Sequence, residues 1–401
     1  MSEVRPEGRI ASVEFTGTRT ELFVLLFRGY LLLLPTLGIY RFWLTTWKRR
    51  FYWHHTVIDG APLEYTGKAL QLLIGFLFAL AFFLPIYIAF FFLSTQSAEI
   101  ALIGYAVVAT VFWFMIGYAI YRARDFRLSR TLWRGIRFNQ HGSAWAYALR
   151  RFLWSIAMVL TLGLLYPAMM SSLWRYRYTH TWYGDRQFRW TGSWKTMAGP
   201  YYRTYLVMLV AVVGAVVMAG ASGSAVVDGI LIPSPQAMLA FAAAAIVVTL
   251  GWFYFRAREA TRMFSEVWIG DSRATVTVRA RALFGQHVLY VLSLAGVTAV
   301  LLVLSLILFQ GTLTAQSFAV DLGQLAQSSW LAVLGLILGY LFVLGTFGLL
   351  GEVFIGYGFW MLVARGATVS NPDSLHSVRA TDEDHSLAGE GLADALNVGA
   401  Y

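Results

Sequence analysis

The chain has 401 residues, of which 58% are hydrophobic and only 13% charged, with a formal net charge of +10. Soluble domains average about 45–50% apolar and 25% charged residues, so the composition excludes an ordinary soluble protein and makes lipid the expected solvent. The absence of cysteine excludes disulfides, thiolate metal sites and cysteine nucleophiles.

Met1 to Thr20 is polar, with Arg5, Arg9, Arg19 and three glutamates. It lacks the apolar core and cleavage site of a secretory leader, so the amino terminus is expected to be retained and cytoplasmic. Runs reaching the roughly 20 residues needed to cross a bilayer are Ala69 to Leu93, Ala98 to Tyr121, Tyr205 to Ala221, Met238 to Phe255, Gln286 to Phe309 and Trp330 to Val363. Two more are interrupted: Leu22 to Leu44 by Arg28, Pro35 and Gly38, and Tyr147 to Leu173 by Arg150, Arg151, Gly163 and Pro167.

Basic residues decide between six and eight crossings. Lys48, Arg49 and Arg50 follow the first interrupted run; six arginines from Arg122 to Arg137 precede the second, and Arg175, Arg177, Arg186 and Arg189 follow it. The connections Ser94 to Ser97, Ser222 to Gln236 and Gly311 to Ser329 carry no Lys or Arg. If the interrupted runs re-enter or lie in the interface, every basic loop is cytoplasmic, in keeping with the positive-inside rule. Pro35-Thr36-Leu37-Gly38 supplies the helix break such a segment needs. The expectation is an all-α polytopic membrane protein with six spans and two re-entrant or interfacial elements. The positive charge is read as topology rather than as nucleic-acid binding.

Sliding the chain against itself by 125 residues superposes Thr36-Leu37-Gly38 on Thr161-Leu162-Gly163, Arg50 on Arg175, His55-Thr56 on His180-Thr181 and Gly17 on Gly142. A constant offset through many matches argues for an internal repeat, with units over 1–125 and 126–260. A degenerate third unit over 261–370 carries Thr346-Phe347-Gly348, and a polar tail occupies 371–401. Short alternating stretches around Asp59-Gly60 and Gln187 to Trp190 read as β-like pieces beneath the helices.

Phe15-Thr16-Gly17, Thr36-Leu37-Gly38-Ile39-Tyr40, Trp47 to Thr56 and the terminal Gly389-Glu390-Gly391-Leu392-Ala393-Asp394-Ala395-Leu396 resemble the YjgN family over essentially the whole chain. The resemblance implies a bacterial inner-membrane location and brings no substrate, reaction or catalytic residue. Here the third Thr-Leu-Gly reads Thr-Phe-Gly, and the arginines expected after it are reduced to Arg365.

Glu352 is the sharpest candidate for chemistry, because a carboxylate in a spanning helix faces a cavity or a partner. It reads as a proton or cation site or as a packing acid satisfied near the helix end. Arg28 pairs with Glu352 or Glu21, or snorkels to headgroups. His55 and His180 match across the repeat as ligands or proton carriers, or as interfacial histidines. No metal-ligand spacing accompanies them, so no metal or other cofactor is expected. Helix breaks are expected at Pro35, Gly38, Gly163 and Gly348. Glycines from Gly335 to Gly358 read as close packing or as a gate. Arg49, Arg50, Trp53, Arg175, Arg177 and Trp182 are candidate lipid contacts, suited to anionic phospholipid.

Two functions follow as expectations: a small-solute or ion transporter or channel built on broken helices, and a scaffold binding anionic lipid or a partner through its basic, aromatic loops. No nucleophile, base and orienting group assemble into an enzyme site. The sequence leaves a protein partner or homo-oligomer open.

Overall fold

A computed structural model describes residues 9–227, 230–308 and 330–381. The first strand, β1 (Ile10–Phe15), alternates exposed and buried side chains. It is followed by α1 (Arg19–Leu33), α2 (Arg41–His54) and β2 (Thr56–Ile58), which pairs antiparallel with β1. A helical hairpin therefore rises from between two paired strands. The same order recurs as β3 (Ala61–Tyr65), α3 (Ala69–Ser94), α4 (Ala98–Ser129), β4 (Thr131–Trp133), and again as β5 (Ile136–Gln140), α5 (Ala144–Leu160), α6 (Tyr166–Thr179), β6 (Thr181–Tyr183). The fourth unit is β7 (Arg186–Trp190), α7 (Trp194–Ala221), a small hairpin of β8 (Ser224–Val227) and β9 (Ile230–Pro233), α8 (Pro235–Phe264), β10 (Val267–Ile269). The fifth runs β11 (Ser272–Val276), α9 (Ala280–Leu308), α10 (Trp330–Gly351), a π-helical turn (Glu352–Gly356), α11 (Tyr357–Arg365), β12 (Ala367–Ser370).

Two-residue turns join the units at Asp59-Gly60, Arg134-Gly135, Gly184-Asp185 and Gly270-Asp271. In the first two turns both residues have φ between 48° and 76°, as a tight antiparallel hairpin requires. β12 then pairs with both β11 and β1, Ser12 opposite Thr368, and ten strands close into a barrel. The all-α expectation is thereby corrected. The strands are three to six residues long; the short alternating stretches marked pieces of them but not their closure, and they are stable only because closure leaves no edge unpaired.

The lumen is a packed core. Trp133, Tyr183, Phe188, Trp190 and Val267 meet there with Ile58, Leu63, Phe138 and Val369, a set drawn from strands all around the barrel. Burial pushes the Tyr183 phenol up to about 12, and its hydroxyl donates to the Trp133 carbonyl at 2.9 Å. The hairpin-turn mouth is covered by a 3₁₀ segment (Pro372–Ser377) whose Leu375, with Val378, enters the same core. Arg9 binds Asp373 and Asp59, Arg134 binds Asp59 at 2.6 Å, and the Asp185 carboxylate accepts from the Arg379 amide. The described start of the polar tail thus lies on the barrel. The terminal motif from Gly389 to Leu396 and the connection Gly311 to Ser329 lie outside the described residues.

Six helices, among them α3, α4, α7, α8 and α9, are long and apolar enough to cross a membrane; the sixth runs from Ile337 to Arg365. α1 and α2, with 15 and 14 residues, are only about 22 Å long, short of a hydrocarbon core of about 30 Å. The turn between them is a helix cap followed by a reversal. Leu37 and Gly38 sit at φ of 48° and 83°, and Leu162 and Gly163 at 50° and 90°. In both turns the glycine amide donates back to the carbonyl five residues earlier, Leu33 and Met158, at 2.8 Å, satisfying carbonyls the helix end leaves open. Thr36 and Thr161 cap the preceding turn through their hydroxyls. Pro35 lies in the first turn, but Leu160 occupies the matching place in the second, so glycine, not proline, makes the reversal. Gly348 is no break: α10 runs straight through it, and the helix changes only at the π turn.

Gly38→Ala and Gly163→Ala are each expected to cost about 1–2 kcal/mol, since the added Cβ sits in the left-handed region. Gly199→Ala in α7, where a Cβ meets open space, is expected to be neutral or stabilising. Thermal unfolding in detergent separates the three.

Candidate functional site

Each helix packs on its chain neighbours, and α1 packs on α10, so the helices form a ring in sequence order above the barrel. At the base of that ring every outgoing helix is bypassed by side chains of the returning ones. Lys48 of α2 reaches Glu352 of the π turn past α1, and Arg49 lies 5.9 Å from the Phe126 ring, past α3. Arg124 lies 5.0 Å from the Tyr178 ring past α5, Trp174 meets Phe264 at 5.0 Å past α7, and Arg256 lies 5.7 Å from the Phe359 ring past α9. Contacts that skip a ring neighbour run along the ring's inside, so the five returning helices form a collar of cations and aromatics over the barrel.

The first strand residues tie the collar down. Thr56, Thr131 and Thr181 each donate to the carbonyl four residues earlier at 2.7 Å, closing the last turn of α2, α4 and α6. Each hydroxyl also accepts from the preceding returning helix in the ring: Trp360 to Thr56 at 3.0 Å, Trp53 to Thr131 at 2.7 Å, Arg124 to Thr181 at 2.7 Å.

Glu352 faces the collar from the π turn, a helix defect that recurs at functional sites. Its carboxylate takes the Lys48 ammonium at 3.1 Å and the Tyr52 hydroxyl at 2.9 Å, and its side chain is 13% exposed. Its partner is therefore Lys48 and not Arg28. A second acid, unmarked by sequence reasoning, lies on the neighbouring returning helix: Glu259 of α8 is 4% exposed and holds Arg256 at 2.7 Å and the Tyr166 hydroxyl at 2.6 Å. Only the Arg256/Glu259 spacing of three residues signalled it. Arg122 and Asp125 repeat that spacing in α4 at 3.1 Å.

The structure does not join His55 and His180. Each ends its own helix, with Nδ1 on the Phe51 carbonyl at 2.8 Å and on the Tyr176 carbonyl at 2.7 Å. Among the described residues no group of three His, Asp or Glu side chains is placed to hold a metal. Arg50 and Arg175 are exposed, and each donates to a glycine carbonyl at 3.2 Å, Gly67 and Gly192. Arg49 binds the Tyr65 hydroxyl, Arg177 stacks on Trp174, and Trp182 lies against His141. These candidate lipid contacts hold the protein together at the level where headgroups would lie.

Arg28 stands apart on the exposed face of α1. It lines an open cleft of 560 Å³ with Glu21, Val24, Leu25, Tyr40, Leu44 and Trp47. The Thr18 amide and hydroxyl, in a reciprocal cap, hold the Glu21 carboxyl below the usual carboxylate range.

Glu352→Gln leaves the Lys48 ammonium without its carboxylate, and a loss of about 2–3 kcal/mol is expected because the pair is largely enclosed. Adding Lys48→Met to Glu352→Gln is expected to restore most of that, read by thermal unfolding of the single and double variants.

No curated protein and no solved structure matches the chain. A sequence profile does, over residues 11–395, and by that match the chain belongs to the bacterial family of proteins of unknown function DUF898, of which YjgN is a member.

Proposed function

We propose that this is a lipid-holding protein of the bacterial cytoplasmic membrane, in which the helix ring encloses acyl chains and the collar meets headgroups. One observation carries the reading. The six long helices are apolar all round, and no described residue in the most apolar window of α3 or α9 is buried, so the side turned into the ring is as apolar as the side turned outward. Such a space takes hydrocarbon in preference to water.

A route for a polar solute needs polar lining, and the barrel beneath the ring is filled. The barrel is read as cytoplasmic because the basic residues gather at its end of the helices. The five strand–helix–helix–strand units are read as copies of one motif, the offset of 125 residues covering two units. The reading calls for no catalytic step. Transport keeps one specific observation in its favour, the acid of the π turn with its lysine.

Native mass spectrometry of the full chain released from nanodiscs tests this. Several phospholipids per chain, resisting removal as detergent activation is raised, are expected. Lipid-free protein whose proteoliposomes conduct protons or ions in a Glu352-dependent way would establish the transport reading instead.

A further inference from the structure

We propose that the cleft on the first half-height hairpin is a headgroup site for a glycerophospholipid carrying a primary ammonium, with Arg28 on its phosphate and Glu21 on its ammonium. This rests on the lipid-holding reading and names the lipid. Arg28 makes no hydrogen bond or ion pair among the described residues, and it is about two and a half turns into a helix that runs on through Gly29 and Tyr30 to Leu31, Leu32 and Leu33. An arginine beside acyl chains needs an anion that itself lives at that depth, and a phosphodiester is the one a bilayer supplies.

Glu21 lies seven residues nearer the barrel, about 10 Å along the axis. Helical side chains lean toward the amino terminus, so the long Arg28 side chain reaches down toward Glu21, whose carboxylate accepts from the Thr18 amide at 3.0 Å and lies 3.9 Å from His55 Nε2. The order along the helix is then carboxylate, guanidinium, leucines, which matches ammonium, phosphate, acyl chain. Tyr40, just before α2, and Trp47 on α2 wall the cleft, and tyrosine and tryptophan sit well at headgroup level.

The other half-height hairpin is an internal control. Positions 125 residues on from Glu21, Arg28 and Trp47 are Ala146, Leu153 and Ser172, so it has no charge pair to offer. Its turn is also closed by α7, where the hydroxyls of Tyr201, Tyr205 and Tyr202 donate to the carbonyls of Gly163, Leu162 and Leu164 at 2.7, 2.8 and 3.1 Å. The corresponding places beside the first turn are Phe76, Leu80 and Leu77, which carry no hydroxyl, and that turn stays open above the cleft.

The test is native mass spectrometry of the full chain from nanodiscs of equal phosphatidylethanolamine and phosphatidylglycerol. The wild type is expected to retain phosphatidylethanolamine preferentially. Arg28→Ala should lower that retained species about tenfold and Arg28→Lys restore part of it. Glu21→Gln should keep a phospholipid but lose the preference between the two headgroups. Millimolar O-phosphoethanolamine, added as competitor, should leave the lipid in place; displacement by it would mean a soluble phosphate ester is the occupant and overturn the lipid assignment. If all variants retain the same lipids as the wild type, the cleft is not the site while the lipid-holding reading stands. If the wild type retains none, both fail.

Discussion

The structure depends on the pairing of its first and last strands. Strands of three to six residues form too few ladder hydrogen bonds to hold a sheet with open edges, and every helical hairpin is mounted between two of them. When β12 settles between β11 and β1, all ten strands acquire two neighbours. The order of strands around the barrel then fixes the order of helices around the ring. The turn-side mouth is closed by the segment that follows β12, so the carboxyl-terminal residues finish both the ladder and the core.

The collar follows from the same mounting. A returning helix must come down onto its strand from inside the ring, which brings α2, α4, α6, α8 and α11 together where the chain leaves the apolar region. Several polar groups there find partners within the protein: Glu352 in Lys48 and Tyr52, Glu259 in Arg256 and Tyr166, and three strand-leading threonines in a neighbour's indole or guanidinium. An ion pair enclosed this way contributes little net stability against an apolar pair but is costly to break on one side. The Lys48–Glu352 pair ties α2 to the π turn.

What was legible in the sequence is what is local. Apolar runs marked the six spanning helices, and the Thr-Leu-Gly pairs marked the two reversals, because a left-handed residue followed by glycine leaves a short-range signature. The offset of 125 residues maps β2 at Thr56–Ile58 onto β6 at Thr181–Tyr183 and β3 at Ala61–Tyr65 onto β7 at Arg186–Trp190. Closure was not legible, since nothing near Ile10 announces Ser370. The partner of Glu352 was missed because Lys48 is 304 residues away. Gly348 misled because a Thr-x-Gly triplet inside a continuous apolar run lacks the second left-handed residue that makes the turn. The basic aromatic segments were marked as lipid contacts by their position; the contacts that several of their side chains make within the protein, such as Arg49 with Tyr65 and Trp53 with Thr131, join residues 16 and 78 positions apart and left no local signal.

A closed barrel with a filled lumen beneath a ring of apolar helices is the arrangement on which the proposed lipid-holding role rests. That picture requires the barrel to be closed within one chain. In this cysteine-free protein, Ser12→Cys combined with Thr368→Cys places two thiols on facing residues of β1 and β12. Mild oxidation in membranes is predicted to form an intramolecular disulfide, while Ser12→Cys with Trp182→Cys, on β6 at the far side of the barrel, forms none. Failure of the first pair to cross-link, or its cross-linking only between chains, would contradict the closed barrel and the ring that stands on it.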